Sequence, residues 1–129
     1  MDTRQLLILG ATMLASAGAP ALAQDTRAPY VRVAEIEIDP AQLDAYKAAV
    51  EEQIETAIRL EAGVLAQYCV SDRENPSHIT VFEIYADAEA YKAHLDTAHF
   101  QRYKINTQAM VRSLKLRDVV PVLLGAKPR

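Results

Sequence analysis

The chain has 129 residues, half of them apolar, and a formal charge of −3. That length supports one ordinary domain with a single core and is too short for two. The mild acidity argues against a binder of nucleic acid or anionic membrane, which needs a cationic surface to displace counterions.

In chain order, the first segment reads as an address. "MDTRQLLILGATMLASAGAPALAQ" offers Arg4, an apolar run from Leu6 to Ala15, and Ala21-Leu22-Ala23 before Gln24, the pattern of a cleavable secretory signal. The run is shorter than the ~20 residues that a membrane span requires. Residues 1–23 are therefore expected to be a signal peptide cut after Ala23. Residues 24–129 then form one domain in a periplasm or outside the cell, with no integral membrane segment in the mature chain. Cys69 is the single cysteine, so no internal disulfide is available, and its expected role is a packed small hydrophobe rather than a nucleophile.

"YVRVAEIEI", Tyr30 to Ile38, is rich in β-branched residues and predicts a strand. "DPAQ" opens a helix, with Asp39 as N-cap, Pro40 at the first helical position and Gln42 placed as in a capping box. Leu43, Tyr46, Val50, Ile54 and Ala57 recur at helical spacing and mark its inner face. Gly63 is expected to supply a left-handed stop. A second strand runs from Val64 to Ser71, "DRENPS" is a turn, and "HITVFEIY" from His78 to Tyr85 is a third strand. Asp87 caps a helix carrying Tyr91 and Leu95. Thr97 looks like a fresh N-cap, so that helix is expected to break and restart with Phe100, Tyr103 and Met110 inward. "SLKLRDVVPV" gives the last strand.

The order is βαββαβ, which predicts an α+β, ferredoxin-like fold: a four-stranded antiparallel sheet with the helices on one face. Along these strands both sheet faces carry apolar residues. Ile79, Val81 and Tyr85 alternate with Phe82 and Ile84, Ile36 and Ile38 with Val31 and Val33, and Val64, Ala66, Tyr68 and Val70 with Leu65 and Cys69. A sheet with one wet face should alternate apolar with polar. A second copy of the chain is the expected cover, giving a homodimer. Charge is also uneven. Acids outnumber bases from Asp25 to Glu61, while from Lys92 to Arg129 eight bases face only Asp96 and Asp118. Two solvated faces are the plain interpretation, and attraction of a partner copy or a small anion is the sharper one.

The stretch "VSDRENPSHITVFEIYADAEAYKAHLDTAHF" resembles the antibiotic biosynthesis monooxygenase superfamily, particularly its small quinol monooxygenases. The resemblance runs from Tyr30 to about Pro121 and rests on Phe82-Glu83-Ile84-Tyr85 and on the His-x-x-Thr-x-His-Phe run ending at Phe100. It implies a ferredoxin-like dimer whose sheets form a shared α+β barrel. It also implies oxidation of a quinol or polycyclic phenol by dioxygen without a cofactor, isomerisation of a phosphorylated dione, or haem breakdown. Ala98 departs from the proline common at that place. The chain has no tryptophan, and no histidine follows Phe100, which sets haem breakdown aside.

Two histidines, His94 and His99, flank Thr97. Five residues apart on one helix they would stand roughly 140° apart, whereas metal pairs favour i, i+4. With no completing acidic or cysteine cluster legible, no metal site is expected. If the helix breaks at Thr97, His94 lies at the end of one helix and His99 at the start of the next, where opposite dipole ends push their protonation apart. They are candidate acid and base, against the alternative that each merely bonds a carbonyl or a cap. Glu83 is the third catalytic candidate, since a carboxylate on an apolar sheet face gains basicity; a structural bond to a tyrosine or arginine is its alternative. Tyr85, Tyr68, Tyr91, Phe100 and Tyr103 are candidates to contact substrate, or else core aromatics. His78, beside a turn, is expected to be exposed.

The function expected is a cofactor-independent monooxygenase acting on a small aromatic molecule and dioxygen. The alternatives are an isomerase of a small dicarbonyl and a non-catalytic dimer that binds a small molecule.

Overall fold

The computed structural model describes residues 28–129, and the expected signal peptide lies outside the described residues. The elements are β1 (Tyr30–Ile38), a 3-10 turn (Pro40–Gln42), α1 (Leu43–Leu60), β2 (Val64–Ser71), β3 (His78–Tyr85), α2 (Ala88–Leu95), α3 (Ala98–Thr107), a second 3-10 turn (Gln108–Met110) and β4 (Val111–Val119). The sheet order is β2-β3-β1-β4, and every neighbouring pair is antiparallel. This is the expected ferredoxin-like α+β fold. The last strand starts earlier than its sequence suggested, at Val111, and it stops at Val119, short of Pro121, which cannot continue the ladder.

One sheet face carries the core. Ala34, Ile36 and Ile38 of β1 meet Ile79 and Val81 of β3 and Tyr46 and Val50 of α1, with Cys69, Tyr103 and Met110 packed around them. Burial pushes the Cys69 thiol up, as suits a packing residue. The Asp39 side chain accepts from the Ala41 N–H, so the cap acts on the 3-10 turn, and α1 itself begins at Leu43.

Three sequence expectations are corrected. Gly63 is not in the left-handed region; a Cβ there would stand 2.5 Å from the Cβ of Ala90. Its role is therefore to let β2 approach α2. In β2, the pairing register shifts between Val64 and Ala66. That bulge puts Val64 in a core cluster with Ala57 and Tyr85, while Tyr68 and Val70 are each 59 % exposed on the opposite face. His78 is half-buried, with Nδ1 bonded to Glu37 and Nε2 to Glu35 across the β1–β3 register.

Candidate active site

A cavity of about 260 Å³ lies between the core face of the sheet and helices α1 and α3. Its apolar walls come from residues such as Ile36, Val81 and Phe100, and Leu114 and Leu116 of β4, each about half exposed, form its open side. Two ionisable groups of opposite chemistry share this wall: Glu83 from β3 and His94 from the last turn of α2.

Glu83 faces the cavity because it alternates with Phe82 and Ile84, which point to the other side. Burial raises its pKa, and the Tyr85 hydrogen bond and the nearby His94 and Arg32 oppose that rise only in part. Tyr85 donates to Glu83 Oε1 at 2.5 Å and accepts from Gln67 Nε2 at 3.1 Å. Gln67 Oε1 in turn accepts from Gln53 Nε2 at 3.5 Å. The polarity of this chain follows from its end: a carboxylate accepts, so Tyr85 must donate and Gln67 must turn its amide nitrogen inward. The leftover atom, Gln53 Oε1, is the buried side-chain oxygen without a partner among the described residues. Burial, then the Glu83 charge, pushes the Tyr85 hydroxyl up, so it stays a donor. Arg32, opposite Glu83 in the β1–β3 register, donates to the Tyr91 hydroxyl at 2.8 Å and lies over its ring.

His94 is fixed by the helix break. α2 ends at Leu95 and α3 starts at Ala98, with Thr97 as its N-cap. The Thr97 hydroxyl donates to the His94 carbonyl at 2.7 Å and accepts from the Phe100 N–H at 3.2 Å, so one side chain ties both helices. Behind the break, His94 Nδ1 and His99 Nε2 meet the same oxygen, Oε2 of Glu61, at 2.8 and 2.6 Å. His94 and His99 are buried and Glu61 nearly so. These three residues could offer a metal ion one atom each, all within 4.8 Å of one another. Donors around an ion bound at about 2.0–2.2 Å would stand roughly 3 Å or more apart. The observed separations are those of N–H groups bonded to a shared oxygen.

The predicted residues therefore divide. Glu83, His94, Tyr91, Phe100 and Tyr103 line the cavity. Tyr85 is wholly buried one hydrogen bond behind Glu83, and His99 sits behind His94, reaching it through Glu61. Tyr68 does not join them, because the β2 bulge turns it to the far face. Glu61, Gln67, Gln53 and Arg32 were not singled out from the sequence. Glu61 alone left a signal: a carboxylate at the C-terminal cap of a helix opposes the dipole and so needs a partner elsewhere.

Residues 29–104 match the family model of the antibiotic biosynthesis monooxygenases. The chain belongs to this family. A Bacteroides thetaiotaomicron protein carrying that family name provisionally shares 45 % identity over 81 % of this chain and 99 % of its own, with a TM-score of 0.76. A provisionally named monooxygenase from Lactobacillus acidophilus is 28 % identical over 75 % of this chain, which spans 45 % of that protein, at a TM-score of 0.71. A Pseudomonas aeruginosa protein, 22 % identical over 76 % of this chain and 98 % of its own, shares the fold at a TM-score of 0.69. No curated protein matches the chain. Family and neighbours together support a monooxygenase-like function in general terms.

Proposed function

We propose that this family member is a cofactor-independent monooxygenase that oxidises a small quinol or related phenol with dioxygen. The observation that carries the reading is the pairing of Glu83 and His94 on one apolar cavity wall, where burial makes the carboxylate a stronger base. Deprotonation is what an electron-rich hydroxyaromatic needs before it can pass an electron to dioxygen. The radical pair then joins carbon to oxygen. Heterolysis of the O–O bond leaves one oxygen atom on the ring and releases the other as water, so that quinol plus dioxygen gives hydroxyquinone plus water. The protein contributes a base, a dry pocket and donors for the developing charge. The test is dioxygen uptake by the pure protein with a reduced naphthoquinone. Uptake well above the uncatalysed rate supports the reading; a rate equal to it across several quinols removes it.

The reading includes a homodimer in which a second copy covers Tyr68 and Val70 on the outer sheet face and closes the cavity beside Leu114 and Leu116. These exposed apolar residues are its support. Sedimentation at micromolar concentration should return twice the monomer mass. An exported mature chain starting after Ala23 belongs to the same proposal and is checked by N-terminal sequencing of the protein recovered from its producing cells.

A second reading draws on Arg32 and Lys104, which also line the cavity and suit an anionic group. An isomerase of a small anionic dicarbonyl would use Glu83 and His94 to move a proton between carbons, and it would turn over without dioxygen.

A further inference from the structure

Neither Glu61 nor His99 lines the cavity, yet both are joined to His94 in the buried cluster behind it. We propose that Glu61 is a positioning residue. Its Oε2 holds His94 in the tautomer with the proton on Nδ1, so that the Nε2 lone pair is the base offered to the cavity, and His99 secures the carboxylate from behind. This rests on the reading above only in supposing that a hydroxyl proton is removed in this cavity.

Hydrogen-bond direction carries the argument. A carboxylate oxygen has no proton to give, so both contacts to Oε2, at 2.8 and 2.6 Å, must be donated by ring N–H groups. A neutral His94 that donates from Nδ1 keeps its lone pair on Nε2. The ring has little freedom to exchange the two edges. It lies 4.8 Å from the Phe100 ring and 5.5 Å from the Tyr85 ring, and its backbone carbonyl is held by both the N–H and the hydroxyl of Thr97. Of the two ring nitrogens of His94, Nδ1 is the one with a hydrogen-bond partner among the described residues, and that partner, Glu61, does not line the cavity. The edge left for a ligand is Nε2.

The second donor matters as much as the first. With His99 also bonded, Oε2 is held from two sides, and Glu61 cannot swing away when His94 changes charge. When Nε2 takes a substrate hydroxyl proton, the new imidazolium stands beside a carboxylate already in place, with no rearrangement of water. The same proton leaves from Nε2 to the reduced oxygen that departs as water, which returns His94 to its starting form.

The test needs no turnover. Long-range proton–nitrogen correlation spectra of the full chain, labelled with nitrogen-15, report which ring nitrogen of each histidine is protonated. The expected result at neutral pH is a proton on Nδ1 of His94 and on Nε2 of His99. Glu61→Gln keeps an acceptor oxygen but loses the carboxylate charge that strengthens both bonds and adds an amide donor, so the preference of at least one histidine for its wild-type tautomer should weaken. In that variant kcat for quinol oxidation should fall about tenfold to a hundredfold, with KM changed by less than about threefold. A wild-type spectrum with the His94 proton on Nε2 overturns the proposal, as does a Glu61→Gln variant with both tautomers and kcat unchanged. Assigned tautomers in a protein that consumes no dioxygen with any quinol would support the Glu61–His94 arrangement and remove the quinol reading alone.

Discussion

Gly63→Ala tests the join between β2 and the helix that carries His94. The added methyl would meet the Ala90 Cβ at 2.5 Å, well inside the ~3.5–4.0 Å at which carbon atoms rest. Neither atom is the end of a flexible side chain, so the backbone of β2 or α2 must move by about an ångström. Overpacking of this kind costs about 1–3 kcal/mol. For a domain of this size ~2 kcal/mol lowers Tm by roughly 10 °C. The clash lies two residues from Glu61 and four from His94, so the loss should also separate that pair and reduce quinol oxidation. Ala90→Gly removes the opposing methyl at ~1 kcal/mol of helix propensity. Denaturant unfolding of the four proteins at one fixed concentration closes the cycle. The double variant should be more stable than the sum of the single losses predicts, by ~1–2 kcal/mol. Additivity within ~0.5 kcal/mol would show that the two residues do not touch and refute the reasoning.

Other outcomes follow from the same geometry. Glu83→Gln should lower kcat by about a hundredfold or more and remove the carboxylate's share of the acidic limb of the pH–rate profile. That limb should lie above the usual carboxylate range, because burial raises the Glu83 pKa. Between the ordinary value and the raised one, folded Glu83 keeps a proton that the unfolded chain has released. Stability therefore falls as pH rises through that window, and Glu83→Gln should flatten the slope in unfolding experiments. His78 should titrate above the usual histidine value by NMR, because hydrogen bonds to Glu37 and Glu35 favour its charged form. Its stabilising contribution is full below the unfolded histidine value and disappears as pH rises through the folded one; Glu37→Gln should lower the midpoint. Tyr103→Phe breaks the 2.7 Å, partly buried bond between the Tyr46 and Tyr103 hydroxyls and should cost about 1 kcal/mol in denaturant unfolding, since the hydroxyl of the buried Tyr46 loses its partner.

Periodicity made most of the fold legible. The strand at His78–Tyr85, the inner face of α1 at Tyr46, Val50 and Ala57, and the break at Thr97 each follow from a local pattern that the packing respects. The misreadings arise where one residue alters the register or the spacing rule. Strict alternation groups Tyr68 with Val64, but the bulge between Val64 and Ala66 turns them to opposite faces. Gly63 looks like a helix stop, whereas its missing Cβ serves a contact with Ala90, 27 positions away. In the candidate site, Glu83 and His94 were within reach because a carboxylate on an apolar strand and a histidine at a helix end are locally odd. The partner that orders His94 was not, since Glu61 lies 33 residues upstream and only the folded chain brings it within 2.8 Å. Helical angles alone kept His94 and His99 apart; a shared acceptor beyond the break reunites them.

Oxygen-18 labelling tests the functional reading most directly. The pure protein is given a reduced naphthoquinone under labelled dioxygen, and the product is weighed by mass spectrometry. One labelled oxygen atom on the ring, with its partner in water and with the incorporation lost in Glu83→Gln and His94→Ala, is the predicted result. A product free of label, or label found only in hydrogen peroxide, would contradict it.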